Sequence, residues 1–571
     1  MKNENILEFD NVSFTYPGAD APAIENISFS VKKSEFVVIS GKSGCGKSTL
    51  LSHMKKNHIP FGKGEGNMYF IHEDGTKTPI EELDDRISAA YIGFVGQDTE
   101  AQIVSDKVWH ELSFGLENLG YPNAVMKRRT AEIAEFMGIK ELYNKSTSKL
   151  SGGEKQLVVL ASVMAMNPKL LILDEPINQL SPRAAEAFIN ALVHINRELS
   201  TTVVICEQRL ADVIPYADRV LVMEQGRILG ISEPAHLTDI FTEYKQKNSE
   251  EISIYNAIPA ASRVFLKVDK STEEPMPVSV REGRQWLIKY LASEKPECEQ
   301  KQLAHSFNKK TDLKKEKSVV IKDVTFSYDK SDKKTLDKLS VSVDKGSFLA
   351  IMGGNGSGKT TLMKCMAGIL KAGSGKVKTF GKTAYLPQES KALFTEITVE
   401  DELAEVFDNF CGKKKISDKE IVLRVDEMLK LLDIEMCRKM HPYDLSGGQS
   451  QRLGLGKILL TEPDILLLDE PTKGLDAAFK DKFAQLLKRL QNEGKTIIVI
   501  THDMEFAAEY ATHCAFMFNG DIVASDEKYT YFADNLFFTT EVSRITKGYI
   551  NGCITVDDVV RKLTQSKSIC N

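Results

Sequence analysis

Apolar residues recur along the chain in two parallel sets of short runs. FVVISG (Phe36–Gly41) and FLAIMG (Phe348–Gly353) are near-continuous apolar runs that open into glycine-rich segments. KLLILDEP and DILLLDEP each end in an Asp-Glu pair, and TTVVICE and TIIVITHD follow them. Runs of this length without alternation predict strands buried on both faces, as in a parallel sheet with helices between strands. VSFTY (Val12–Tyr16) and VTFSY (Val324–Tyr328) instead alternate apolar and polar residues, which predicts a small antiparallel sheet at the start of each set. Leu157–Met166, the longest clean apolar run, reads as a buried helix.

The two sets are one domain type used twice. Lys47 and Lys359 lie 312 positions apart, as do Tyr16 and Tyr328, whereas Ser151 and Ser446, and Asp174 and Asp469, lie 295 apart. The first copy therefore carries 17 extra residues. They fall before Gln97, around IHEDGTKTPIEELDD, and predict a longer surface hairpin. Between the copies the chain is charged and irregular, so the expected organisation is a first domain over 1–245, a linker over 246–317 and a second domain over 318–571. The linker holds one helix signal, SVREGRQWLIKYL. Ser279 and Glu282 have the spacing of a capping box, and Trp286 and Tyr290 lie one turn apart. The lysine-rich stretch 309–317 reads as a solvated tether.

At 571 residues the chain exceeds one core. A net charge of −6 gives no support for nucleic-acid binding. No apolar run approaches the roughly 18 residues that cross a bilayer, and the N-terminus has no signal-peptide core. Nine cysteines without a C-x-x-C pair suggest free thiols in a reducing compartment.

The glycine-rich segments carry the chemistry. Gly41, Lys42, Ser43, Gly44, Cys45, Gly46, Lys47, Ser48 and Thr49 form G-x-x-x-x-G-K-S-T, a phosphate cradle. Gly353, Gly354, Asn355, Gly356, Ser357, Gly358, Lys359, Thr360 and Thr361 repeat it. Glycines let the backbone curl around an anion, and amides and a helix N-terminus supply positive charge. Lys47 and Lys359 are expected on the β- and γ-phosphates of ATP. Ser48 and Thr360, with Asp174 and Asp469 at strand ends, are expected to hold Mg²⁺. Glu175 and Glu470 stand where a group that polarises attacking water belongs. LSGG occurs twice: Ser151, Gly152, Gly153 and Ser446, Gly447, Gly448. Each serine reads as a helix N-cap and each helix end as a second anion site, with its natural use on the nucleotide of a facing domain.

In this order, twice, these motifs resemble the ABC ATPases over nearly the whole chain. The resemblance implies two P-loop α/β nucleotide-binding domains, each with a helical subdomain, that pair within one chain around two ATPs. Each site would take its cradle from one half and its LSGG from the other. By motif, Tyr16 and Tyr328 look like the adenine-stacking aromatics. Gln97 and Gln388 look like the glutamines that contact Mg²⁺ and sense the partner subunit, and His502 looks like the switch histidine. The halves differ here. Gln208 takes the histidine position in the first half, and Ser181 replaces the aspartate found at Asp476. Glutamine cannot become a cation near neutral pH. The first-half site is therefore expected to hydrolyse ATP poorly, with the Lys359–Glu470–His502 site as the main engine. ATP is expected to shield Cys45 from thiol reagents.

QIVSDKVWHELSFGLENLGYP (Gln102–Pro122) and EQRL are similar to stretches of energy-coupling factor transporter ATPases. PVSVREGRQWL and FFTTEVSRITKGY look like the fused, two-ATPase members. This likeness implies a transmembrane T component, a substrate-binding S component, and a place on the cytoplasmic face of the membrane. In that class a groove beside each glutamine loop, here 97–104 and 388–394, receives a helix of the T component. The cargo class would be a vitamin, a vitamin precursor or a transition-metal ion. A soluble ABC-F type translation factor is the alternative, disfavoured by the single switch histidine and the mixed charge of the linker.

Overall fold

The computed structural model describes residues 4–178, 180–248, 254–268, 274–293, 316–328, 334–410, 417–473, 475 and 477–569. The chain divides into two compact units, one within Met1–Gly283 and the other within Arg284–Leu475 and Phe479–Asn571.

In the first unit a six-stranded sheet runs Arg227–Ser232, Arg219–Glu224, Phe36–Gly41, Thr202–Cys206, Leu170–Asp174, Ile92–Val95 from edge to edge. All neighbours are parallel except the first pair. The second unit repeats this with Asp521–Glu527, His513–Phe518, Phe348–Gly353, Thr496–Ile500, Ile465–Asp469 and Thr383–Leu386. The apolar runs are these central strands, buried on both faces as their composition requires. Register aligns their carboxyl ends: Asp174 lies opposite Cys206, itself opposite Ile39, and Asp469 lies opposite Ile500, itself opposite Ile351. The cradle, the Asp-Glu pair and the switch residue thus leave the sheet at one edge, where α/β folds bind ligands.

The alternating segments form antiparallel sheets: Asn5–Thr15 between Ile24–Lys32 and Lys63–Ile71 in the first unit, and Lys317–Phe326 between Leu336–Asp344 and Ser374–Thr379 in the second. The 17-residue excess is a hairpin, as expected. Lys77–Pro79 folds back on Lys63–Ile71, and the turn closes through His72 N–H to Thr76 O at 2.9 Å. It also contains a helix, Asp85–Tyr91, that the sequence reading did not include. Asp84 caps it, and Ile80 and Leu83 bury themselves in the core beside it.

Each unit packs three helices around its LSGG segment: Val108–Asn118, Asn123–Phe136 and Gly152–Met164, then Val399–Phe410, Asp418–Leu432 and Gly447–Leu459. The linker helix spans Val280–Ser293. Ser279 accepts from Glu282 N–H at 3.3 Å, but the Glu282 carboxylate returns to Val278 N–H at 2.8 Å. The box therefore closes one residue earlier than expected. Arg284 lies 5.2 Å over the ring of Tyr549, joining that helix to the C-terminal tail. Residues 309–315 of the lysine-rich stretch lie outside the described residues. The six described cysteines are free and buried. No helix among the described residues is long and apolar enough to cross a membrane.

Candidate nucleotide sites

The cradles are shaped by what a side chain would strike. A Cβ at Gly41 would come within 2.4 Å of Met223 O, and one at Gly353 within 2.2 Å of Met517 O. Gly46 and Gly358 cap the following helices at φ 98° and 101°, which disfavours any other residue. Lys47 Nζ donates to Gly41 O and Lys42 O at 2.9 Å, and Lys359 Nζ donates to Gly353 O and Gly354 O at the same distance. Tyr16 and Tyr328 each place a hydroxyl 3.1 Å from Thr49 or Thr361 and stand edge-on to Phe14 or Phe326. Both rings are substantially exposed, as a stacking surface requires.

Asp174 and Asp469 end their strands against Ser48 and Thr360. Burial pushes both carboxyls up, partly offset by those hydroxyls. Asp174 Oδ1 is buried without a hydrogen-bond partner. A buried, orphaned carboxylate oxygen beside a cradle hydroxyl fits a hard cation held by oxygen ligands, as Mg²⁺ requires. In the second unit Tyr385 donates to Asp469 Oδ2 at 3.3 Å, where the first unit has Phe94.

The two glutamates meet different company. Glu175 accepts from Gln208 Nε2 at 2.7 Å, Asn178 Nδ2 at 2.9 Å and Gln97 Nε2 at 3.3 Å. Glu470 accepts from Gln388 Nε2 at 3.0 Å, and His502 Nε2 stands 3.1 Å from its other oxygen. Burial pushes the Glu470 carboxyl up, but His502, Lys473 and Lys359 more than offset this and hold it below the usual carboxylate range. Both glutamates occupy left-handed backbone, at φ 46° and 50°.

Ser151 and Ser446 cap the LSGG helices, each closing a full capping box with Glu154 or Gln449. A Cβ at Gly152 or Gly447 would meet nothing within 4 Å, so both helix ends are open to approach. Among the described residues no hydrogen bond joins Ser151, Gly152 or Gly153 to the cradle of their own unit. Cys45 is only 5% exposed, its sulfur packed beneath Gly41, and burial pushes its thiol up. The thiol is already shielded by the fold, so the expected ATP-dependent labelling loses its basis. Gln179, Gly474 and Asp476 lie outside the described residues.

No role followed from the sequence for Glu207, the first residue of EQRL. It is fully buried and accepts from Ile177 N–H at 2.8 Å and Gln208 N–H at 3.2 Å. Burial and the nearby Glu175 push its carboxyl up to about 8, against the pull of those N–H groups and Arg209. The available signal was a carboxylate at the end of an apolar strand.

Residues 24–178 and 336–473, one stretch in each unit, match the family model described as ABC transporter. A Bacillus cereus protein provisionally named as an ABC transporter ATP-binding protein is 38% identical over 569 residues, covering 97% of each chain. The chain belongs to the ABC transporter family. A Clostridium tetani member with the same provisional name is 33% identical, covering 77% of this chain and 96% of its own. An archaeal ribosome recycling factor, solved with a ribosomal stalk protein, is 18% identical with a TM-score of 0.57 over 91% of this chain and 90% of that one, a likeness of fold alone. The two units are thus P-loop ABC nucleotide-binding domains, and the chain is an ABC transporter ATP-binding subunit. ATP binding and hydrolysis come with the family.

Proposed function

We propose that this subunit powers an importer of the energy-coupling factor type through separate T and S membrane components, and that its two ATP sites are unequal. The inequality rests on one observation. Glu470 is paired with an imidazole, whereas Glu175 is saturated by three carboxamides. In the second-half site Lys359 binds the β- and γ-phosphates. His502 holds the γ-phosphate side, and Glu470 orients water and accepts its proton. Ser48, Asp174 and Gln97, and Thr360, Asp469 and Gln388, would hold Mg²⁺, which supplies charge neutralisation at the phosphate oxygens. In the first-half site Gln208 and Glu175 hydrogen-bond each other. The carboxylate is therefore already occupied and less free to take a proton from water.

The transporter type is supported by the stretch after Gln97. There Glu111 is buried and accepts from Val104 and Ser105 N–H at 3.0 and 2.7 Å, so a carboxylate shapes the exit of the glutamine loop. Val104, Trp109 and Phe114 leave apolar surface exposed near that exit, suited to a helix of the T component on the cytoplasmic face.

Two measurements test this. ATP turnover of Glu470→Gln should fall on the order of a hundredfold or more, the scale of a lost general base, and that of Glu175→Gln by less than about threefold. Equal losses would sink the asymmetry. Purification in mild detergent from native cells should recover two small membrane proteins in stoichiometric amount. Ribosomal proteins in their place would overturn the transporter reading.

A further inference from the structure

Three consecutive side chains after the strand Thr202–Cys206 reach one loop. Glu207 accepts the N–H of Ile177 at 2.8 Å, Gln208 donates to Glu175 at 2.7 Å, and Arg209 donates to Leu180 O at 3.4 Å. Glu207 also accepts its neighbour's N–H, from Gln208, at 3.2 Å. In the second unit His502 likewise reaches Glu470 and Asp503 pairs with Lys480, but the hydroxyl of Thr501, which stands in place of Glu207, stays within its own segment. Thr501 accepts from Asp503 N–H at 3.0 Å, and Asp503 caps the next helix through Phe506 N–H at 2.8 Å.

A fully buried carboxyl is an expensive way to end a strand when a threonine serves in the sister unit. Its two acceptor bonds go to the backbone on either side of the Glu175–Gln208 contact. We propose that Glu207 is a positioning residue of the first ATP site, holding the segment Glu175–Asn178 and the Gln208 backbone in register so that Glu175 and Gln208 stay locked together and bound nucleotide is retained. Arg209 is the outer clasp of the same device. This rests on the reading that the Lys47 cradle binds ATP.

The test uses the full chain carrying Lys359→Ala, which confines tight binding to the Lys47 cradle, and the fluorescent analogue MANT-ATP with Mg²⁺. Stopped-flow displacement gives its dissociation rate. Glu207→Thr should release the analogue roughly tenfold faster, the scale of one lost buried hydrogen bond. Glu207→Gln should fall between, because its carboxamide oxygen still accepts from Ile177, and Arg209→Ala should accelerate release a few-fold. A purely architectural role would lower the thermal midpoint and leave release from the folded fraction unchanged. Release within twofold of the parent in both Glu207 variants overturns the proposal, and if Glu207→Thr does not fold, Glu207→Gln decides alone. Binding stoichiometry separates the two failures. If Lys359→Ala abolishes all MANT-ATP binding, the first-site reading falls and takes the proposal with it.

Discussion

Gln208 and His502 occupy the same position and touch the same kind of partner, yet a carboxamide cannot take up and pass on a proton as an imidazole can. Introducing Gln208→His into the Glu470→Gln chain should therefore raise the residual, first-site turnover several-fold. No change in a steady-state ATPase assay would show that Glu175 is idle for another reason. Glu207 makes a second residue-level prediction. Its carboxyl titrates near 8 in the fold against an ordinary value of 4.5, so the fold favours the protonated form. That contribution is complete below 4.5 and is lost as pH rises through 8. Urea unfolding at pH 5 and pH 9 should show Glu207→Gln gaining on the parent as pH rises; a constant difference would mean the group is not held protonated. The cradle residues, the Asp-Glu pairs and His502 were legible because each motif is contiguous. Glu207 and Tyr385 were not, because their partners are brought close only by the fold: Ile177 lies 30 positions from Glu207, and Asp469 lies 84 from Tyr385.

At the scale of elements, the LSGG helices have two separable duties. Their capping boxes satisfy N-terminal amides, so Ser446→Ala and Ser151→Ala should each cost about 1 kcal/mol in urea unfolding. Each serine also stands at an exposed helix end suited to an anion, so Ser151→Ala and Ser446→Ala should lower ATPase activity by more than their loss of stability accounts for; activity that tracks the folded fraction would leave them as caps only. The strands were legible because an uninterrupted apolar run has few alternatives once glycine ends it. The hairpin showed itself as a difference in length between copies. Its helix did not, since DRISAAY has too few apolar positions for a helical period, and Asp84, with Ile80 and Leu83 in the core, secures it.

Across the whole molecule, both units bend the chain the same way at the same point. Glu175 and Glu470 sit in left-handed backbone, each with its N–H tied to the neighbouring strand, on Cys206 O at 2.9 Å and Ile500 O at 3.0 Å. For a residue with a side chain this conformation costs roughly 1–2 kcal/mol. Glycine is normally the less stable choice against alanine, but here the order should reverse. A chain carrying Glu175→Gly and Glu470→Gly should unfold at higher urea than one carrying alanine at both positions, and both should be inactive. The opposite order would mean that the bend carries no strain. The fold thus stores a little instability at the two places where ATP chemistry is expected. Drift toward a sturdier protein would press on these glutamates, and at Glu470 selection for turnover is what resists it.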